Sequence, residues 1–372
     1  MKKVKLLLAL VIALSFTGCS KESDVEQVMD AQQEYGCNVL NVFNWGEYIG
    51  ENTISNFEKM YNVKVNYSLY DSNEAMYTKL LGGSAYDILI PSDYMIERLI
   101  DENLLQPLDH NIITNIGLLD ENVQKLVNEY DPNNEYSIPY FWGTVGIVYN
   151  KNNVDINELE TKGYNILLDE KYKGEVFLYD SERDSFMIAL KALGYSMNTE
   201  DEDQIQEAYQ WLLDVNEAVD PSFVTDEVID AMVNGEKDIA IMYSGDAAYV
   251  LSENEDMGFY LPKEGTNVWS DGMVIPSNAK CPGLANEFIN YMISYDAAYD
   301  NSYTVGYTSS NAEVLEELSE EFPKEAYVPR TNYEKDEVFM HNEVLKKKLS
   351  DLWIKVKNQE LVINGKAIML YH

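Results

Sequence analysis

Between Val39 and Leu99 short apolar runs alternate with amphipathic segments, and this alternation restricts the fold more than any other feature. Val39-Leu40-Asn41-Val42 reads as a strand. Asn52-Thr53 then opens a helix through Met60, with Ile54 and Phe57 three apart on one face. Val63, Val65 and Tyr67 recur at strand period, and helical spacing returns from Ser72 to Leu81, where Gly82-Gly83 stops it. Asp87-Ile88-Leu89-Ile90 is a buried strand halted by Pro91. Ser92 is placed to cap a helix carrying Met95, Ile96 and Leu99. A β-α-β-α-β-α order requires crossover connections and hence a largely parallel sheet, so the expected fold class is α/β.

In such a sheet the loops at the carboxyl ends of strands gather at one edge, where ligands bind. Phe43-Asn44-Trp45-Gly46-Glu47-Tyr48 and Ser92-Asp93-Tyr94 are both loops of this kind. Aromatic rings beside a carboxylate suit an organic cation, through ring quadrupole and full negative charge together. Glu47 and Asp93 read as compensation for helix N-termini rather than as ligands.

The second half repeats this chemistry. A loop-rich stretch, Asp131-Pro132-Asn133-Asn134-Glu135-Tyr136, leads through Ser137 to Gly143 into a strand from Thr144 to Tyr149, the expected crossing into a second lobe. Val176-Phe177-Leu178-Tyr179 runs into Asp180-Ser181-Glu182-Arg183-Asp184, three carboxylates in five residues where a helix begins. Helices are expected over 203–215 and 226–234. The strand Asp238 to Tyr243 ends at Ser244-Gly245-Asp246. From Val268 to Pro276 another strand carries Trp269 and Asp271 two apart, hence on one face. Residues 359–372 continue no readable pattern.

A length of 372 residues exceeds one ordinary core, which makes two lobes the default. The expected division is 37–143 plus 272–315 for the first lobe and 144–271 plus 316–358 for the second. With 64 acidic against 27 basic side chains, the formal charge of −37 repels phosphate backbones and disfavours nucleic acid as a partner. The same field steers small cations inward.

Met1-Lys2-Lys3-Val4-Lys5 is basic, Leu6 to Phe16 is apolar but too short to span a bilayer, and Thr17-Gly18 precedes Cys19. This resembles a lipoprotein signal over residues 1–18, with Cys19 the lipidated residue and residues 19–36 a polar tether. The expected location is the extracytoplasmic face of a membrane, anchored through that lipid. Cys37 and Cys281 could pair there, but spacing does not place their Cα atoms, and the reading weighs against the bond. The three cysteines match no zinc spacing and three histidines leave little for a metal site, so no metal or cofactor is expected.

No nucleophile elbow, P-loop, His-Glu-x-x-His or dinucleotide fingerprint appears. Paired carboxylates can hydrolyse glycosides, which keeps a secreted carboxylate hydrolase as a remote alternative. Aromatics and acids without a dedicated nucleophile or base fit binding better than turnover, and the expectation is that the protein is not an enzyme.

Several segments resemble polyamine-binding proteins of ABC transporters. They are Phe43 to Tyr48, Tyr70-Asp71-Ser72-Asn73-Glu74-Ala75-Met76-Tyr77, Tyr86 to Tyr94, Asp131 to Tyr140, and Pro262-Lys263-Glu264-Gly265 followed by Trp269-Ser270-Asp271. The likeness runs in order from Val39 to near Lys357. It implies a two-lobed periplasmic-binding-protein fold of type II, each lobe a mixed sheet flanked by helices, that closes on spermidine or putrescine as a monomer and delivers it to an ABC permease. It also implies a site from Trp45, Tyr48, Ser92, Tyr94, Ser181, Asp184, Tyr243, Trp269, Asp271 and Tyr307. Ser181 stands where the best-known members carry aspartate and Tyr243 where they carry tryptophan, which opens the preferred polyamine length. Another amine or a sugar on the same fold is the alternative these departures motivate.

Overall fold

A computed structural model describes residues 25–363, with side chains through Asn358. The expected signal segment, Cys19 and the start of the tether lie outside the described residues. Ten strands form the sheet: β1 (Val39–Trp45), β2 (Lys64–Tyr70), β3 (Ile88–Leu89), β4 (Ser137–Asn150), β5 (Val176–Tyr179), β6 (Ser222–Val224), β7 (Ile239–Tyr243), β8 (Met257–Tyr260), β9 (Val268–Val274) and β10 (Thr308–Ser309). Helices α1 (Ala31–Tyr35), α2 (Thr53–Tyr61), α3 (Asn73–Leu81), α4 (Asp93–Asp101) and α5 (Glu121–Val127) belong to the first half. Helices α6 (Ile156–Lys162), α7 (Glu182–Ala192), α8 (Glu202–Val219), α9 (Glu227–Val233) and α10 (Ser244–Glu253) follow. Then come α11 (Pro282–Met292), α12 (Tyr295–Val305), α13 (Ala312–Leu318), α14 (Lys324–Tyr327) and α15 (Glu343–Ile363).

The strands run in the order β2-β1-β3-β9-β4-β7-β5-β6, with β10 and β8 also on β4. As expected, β1 is parallel to both β2 and β3. The antiparallel β9 and β4 make the whole sheet mixed. One strand joins the two halves: β4 pairs with β9 over Ser137–Thr144 and with β7 over Val145–Tyr149. The stretch from Ser137 to Gly143, which the sequence left as an approach to a strand, is therefore the first half of β4. Pro139 disguises it, and the ladder accommodates this proline where its register shifts between Pro139 and Phe141.

The expected lobe boundaries move accordingly. The return crossing lies at Asn267–Val268 rather than Asp271–Gly272, because all of β9 pairs with the first half of β4 while Val145 N donates to Asn267 O at 3.2 Å. The boundary drawn at 315 falls inside α13, whose Val314 and Leu318 share a cluster with Val148 and Phe177 while Leu315 packs with Val123 and Trp142. One apolar cluster runs from Leu40 and Val42 through Phe141, Val145 and Ile147 to Val176 and Leu178. The cores of the two lobes thus meet along β4.

The tether expected up to Gly36 is shorter than the sequence suggested. Val28 N donates to Met60 O at 2.8 Å, Asp30 caps α1, and Ala31 is fully buried. Cys37 and Cys281 form a disulfide with Cα atoms 6.1 Å apart, against the sequence expectation. Asp87 is the reason the two segments meet: its buried carboxylate accepts from Asn41 N on one side and from Lys280 N and Cys281 N on the other, at 2.8, 2.8 and 2.9 Å. At the other end, α15 lies on α7 and α8, held by Asn216 Nδ2 donating to Val356 O at 2.9 Å. It continues to Ile363, so the segment without sequence pattern begins inside a helix.

Candidate ligand-binding site

The end of β1 supplies the first wall. Trp45 Nε1 donates to Ile90 O at 2.9 Å and its ring lies 4.7 Å from Tyr70, which holds the half-buried indole at the strand edge. Glu47 is exposed and adopts φ 50, a turn geometry that points to a loop role rather than a ligand. Tyr48 is buried, and its hydroxyl donates to Asp271 Oδ2 at 2.7 Å.

Ser92 occupies the N-cap position of α4, yet its side chain makes no capping bond. Its hydroxyl accepts from Asn73 Nδ2 at 3.1 Å instead, and its backbone faces Asp271 across an isolated antiparallel bridge. The expected side-chain capping bond is therefore absent at this N-cap position. Asn73 Nδ2 also donates to the Tyr94 hydroxyl at 2.9 Å, so one amide orients both side chains at the start of α4. Asp93, expected to be simple dipole compensation, is buried and accepts from Ser270 N on β9 as well as from Tyr94 N. Burial pushes its carboxyl up to about 8, with the Asp271 charge adding to the rise.

Three further carboxylates define the centre. Asp271 is buried, which raises its carboxyl to about 6 against the opposing bonds from Ser92 and Tyr48. Asp184, also buried and likewise raised by burial, accepts from the Tyr243 hydroxyl at 2.9 Å. Ser181 caps α7 by accepting from Asp184 N at 3.3 Å, and its nearby hydroxyl opposes the rise of the Asp184 carboxyl. Asp246 accepts from the Tyr307 hydroxyl at 2.8 Å and from the Tyr179 hydroxyl at 3.1 Å, and burial raises it to about 6. Among the described residues, no lysine or arginine nitrogen lies within 4.0 Å of any of these three carboxylates.

The trio Asp180, Glu182 and Asp184 does not converge. Asp180 accepts from Trp353 Nε1 at 3.0 Å and pairs with Lys357 at 2.6 Å, while Glu182 accepts from Ser350 at 3.0 Å. These two face α15, one from just before α7 and one from its first residue, and Asp184 alone joins Tyr243.

Aromatic rings connect the acids. Tyr48 lies 5.7 Å from Tyr307, Tyr307 5.4 Å from Trp269, Trp269 6.1 Å from Tyr243, and Tyr243 stacks on Tyr179 at 4.8 Å. Two glycines permit this packing. A Cβ on Gly143 would approach the Trp269 ring to 2.8 Å, and one on Gly245 would approach the Tyr307 ring to 2.5 Å. The sequence-expected residues from both lobes thus come together, with Trp269 and Asp271 on β9 linking them. Asp246 and Tyr179, which join this cluster through hydrogen bonds, were not among the sequence-expected residues. The signal that could have found Asp246 is its place three residues past the end of β7, in the first turn of α10, the same offset that Tyr48 holds after β1.

Hydroxyl donors around buried carboxylates fix the orientation of those groups without supplying a countercharge. The aromatic wall excludes water and offers faces to methylene groups or cations. The arrangement can receive ammonium groups, each of which supplies the missing charge and donates to the free carboxylate lone pairs.

Comparison with known proteins agrees with this geometry. Residues 52–329 match the family described as bacterial extracellular solute-binding protein. The spermidine/putrescine-binding periplasmic protein of Escherichia coli (strain K12) is 35% identical over 257 residues, covering 68% of this chain and 72% of its own. The crystal structure of the spermidine/putrescine ABC transporter substrate-binding protein PotD from Streptococcus pneumoniae superposes with TM-score 0.76 at 36% identity, covering 86% of this chain and 98% of that one. The Tp0655 (TpPotD) lipoprotein of Treponema pallidum gives TM-score 0.75 at 26% identity, covering 86% and 99%. A profile match over most of the folded region, joined to relatives of this identity and coverage, establishes that the chain belongs to the bacterial extracellular solute-binding protein family.

Proposed function

We propose that the protein captures a linear polyamine, spermidine or putrescine, between its lobes and delivers it to the permease of an ABC importer. The observation that carries this reading is a set of three carboxylates, buried Asp271 and Asp184 and partly buried Asp246, each held by hydroxyls, with no lysine or arginine nitrogen within 4.0 Å among the described residues. A di- or triamine supplies two or three positive charges on a flexible apolar stem, which is the complement of such a cleft. Asp271 with Tyr48 and Ser92 receives one ammonium. Asp184 with Ser181 and Tyr243, and Asp246 with Tyr307, receive the other end. Trp45, Tyr94 and Trp269 wall the methylene chain.

Magnitudes fit micromolar capture. A dissociation constant of 1 μM corresponds to about −8.2 kcal/mol. A charge-assisted hydrogen bond contributes roughly 1.5–3 kcal/mol net, so two ammonium sites with several bonds each cover this and an association cost of at least ~4 kcal/mol. Calorimetry at low salt with both polyamines tests the reading, and no detectable binding of either would refute it.

We further infer that Cys19 carries a lipid and holds a monomeric protein at the outer face of the membrane. The order of basic, apolar and small residues before Cys19 supports this, as does the likeness to a spirochaete protein described as a lipoprotein. Metabolic labelling with a palmitate analogue, lost on Cys19→Ala, is the expected outcome. Sedimentation of the soluble domain at a single-chain mass tests the monomer.

A further inference from the structure

Away from the three central acids, one edge of the cleft carries contacts that run only between lobes. On the first lobe, α3 presents Glu74 and α4 presents Tyr94 and Arg98; on the second, α7 presents Arg183 and the first turn of α15 presents Glu343 and Lys346. The Arg183 guanidinium lies 3.7 Å from the Tyr94 ring centroid and 3.6 Å from Glu74 Oε1. The same Glu74 oxygen pairs with Lys346. Arg98 Nη1 lies 2.6 Å from Glu343 Oε1. Glu74 is thus a shared anion for two cations of the opposite lobe. Burial alone would raise its carboxyl, but the Lys346 bond and the two positive charges outweigh it and hold the carboxyl below its usual range.

These contacts join the two lobes, so any parting of the lobes would break them. One of them reaches the ligand wall, because Tyr94 is a site aromatic whose hydroxyl is already fixed by Asn73. A planar guanidinium on its face fixes the ring plane as well, while remaining tied to Glu74. Lysine could keep the charge but not the stack.

We propose that Arg183 is the closure residue of the cleft: it seats the Tyr94 ring against the ligand as the lobes meet, with Glu74 as its anchor, and so sets how long a captured ligand stays. Arg183 is a positioning residue, acting through Tyr94. The inference rests on the proposed capture of a ligand between the lobes, and its mechanical part is independent of which ligand that is.

Two measurements test it. In stopped-flow experiments with putrescine, Arg183→Gln is expected to raise the dissociation rate constant tenfold or more with the association rate constant within threefold. Arg183→Lys should fall between this variant and wild type, and Glu74→Gln should behave like Arg183→Gln. Equal dissociation rates in wild type and Arg183→Gln would overturn the proposal, as would a loss confined to association. The second measurement is small-angle X-ray scattering of the ligand-free protein from about 0.1 M to about 1 M salt, where the screening length falls from about 10 Å to about 3 Å. Wild type should expand with salt, and Arg183→Gln should already be expanded at the lower concentration. Identical scattering of the two proteins at both concentrations would overturn the clamp even if no polyamine binds. Absence of polyamine binding with the expected scattering difference would refute the ligand reading and leave the clamp supported.

Discussion

The Tyr48 hydroxyl donates to Asp271 Oδ2 at 2.7 Å, joining residues 223 positions apart at the edge of one sheet. Tyr48 follows β1 and Asp271 lies on β9, so the bond spans β3, the strand between them. It orients a buried acid without neutralising it. Asp271→Asn keeps the volume and removes the charge, and is expected to weaken polyamine binding more than tenfold by calorimetry. Unchanged affinity would show that Asp271 is not an amine ligand. Tyr48→Phe removes one neutral donor, roughly 0.5–1.5 kcal/mol, and should weaken binding only about two- to tenfold.

Binding should depend on pH through the same acids. Asp271 and Asp246 are raised from 3.8 to about 6, chiefly by burial. As pH rises from near 4, the unfolded chain ionises these groups first, so ligand-free stability is lost across the window up to about 6 and constant above it. The loss is on the order of 3 kcal/mol per group. An ammonium ligand binds the ionised form, so affinity grows through that window. The melting-temperature gain from saturating spermidine should therefore be larger at pH 7.5 than at pH 5, and a gain independent of pH would remove these acids from the site.

Asp93 gives the same sign over a wider range. Burial raises it from 3.8 to about 8, so ionisation costs the folded protein stability from near pH 4 to near pH 8. Asp93→Asn should be more stable than wild type by at least about 1 kcal/mol at pH 7, part of the ~1.4 kcal/mol per pH unit that linkage allows. The difference should grow with pH and level off above 8. Denaturant titrations at pH 5, 7 and 8.5 check it, and equal stability at all three would mean that Asp93 ionises freely.

Ser181 sets a specificity prediction. Its hydroxyl caps α7 beside Asp184, and aspartate can cap equally well. Ser181→Asp should preserve the fold and add one carboxylate next to Asp184. One further charge-assisted bond, roughly 1.5–3 kcal/mol, should favour spermidine over putrescine by about tenfold or more relative to wild type. Competition calorimetry reads the ratio directly, and a ratio that stays put would place Ser181 outside ligand reach.

The Cys37–Cys281 disulfide links the segment just before β1 to the N-cap of α11. Reduction should cost about 2–4 kcal/mol of stability while ligand affinity changes less than twofold. Calorimetric unfolding with and without reductant measures the first, and titration of the reduced protein measures the second. A large affinity loss would mean that the first lobe's frame, not only its stability, depends on the bond.

The alternation from Val39 to Leu99 determined the α/β class and the parallel β2-β1-β3 core, because crossover order and side-chain period are local properties. The site aromatics and acids were also legible, since strand-end loops carry them in an α/β sheet and the family resemblance matched them position by position. Tertiary structure decided the rest. Asp180, Glu182 and Asp184 look alike in sequence, and only helix orientation against α15 separates the single site carboxylate from the two that face away. Asp246 joined the candidate site through Tyr179 and Tyr307, which lie remote from it in sequence. The bond between Cys37 and Cys281 depended on Asp87 drawing two distant segments together. The continuity of β4 across both lobes was hidden by Pro139, whose strand propensity is poor but whose position at a register shift makes it tolerable. In each case the deciding interaction is between residues far apart in the chain, and no local pattern encodes which of several chemically similar side chains will meet.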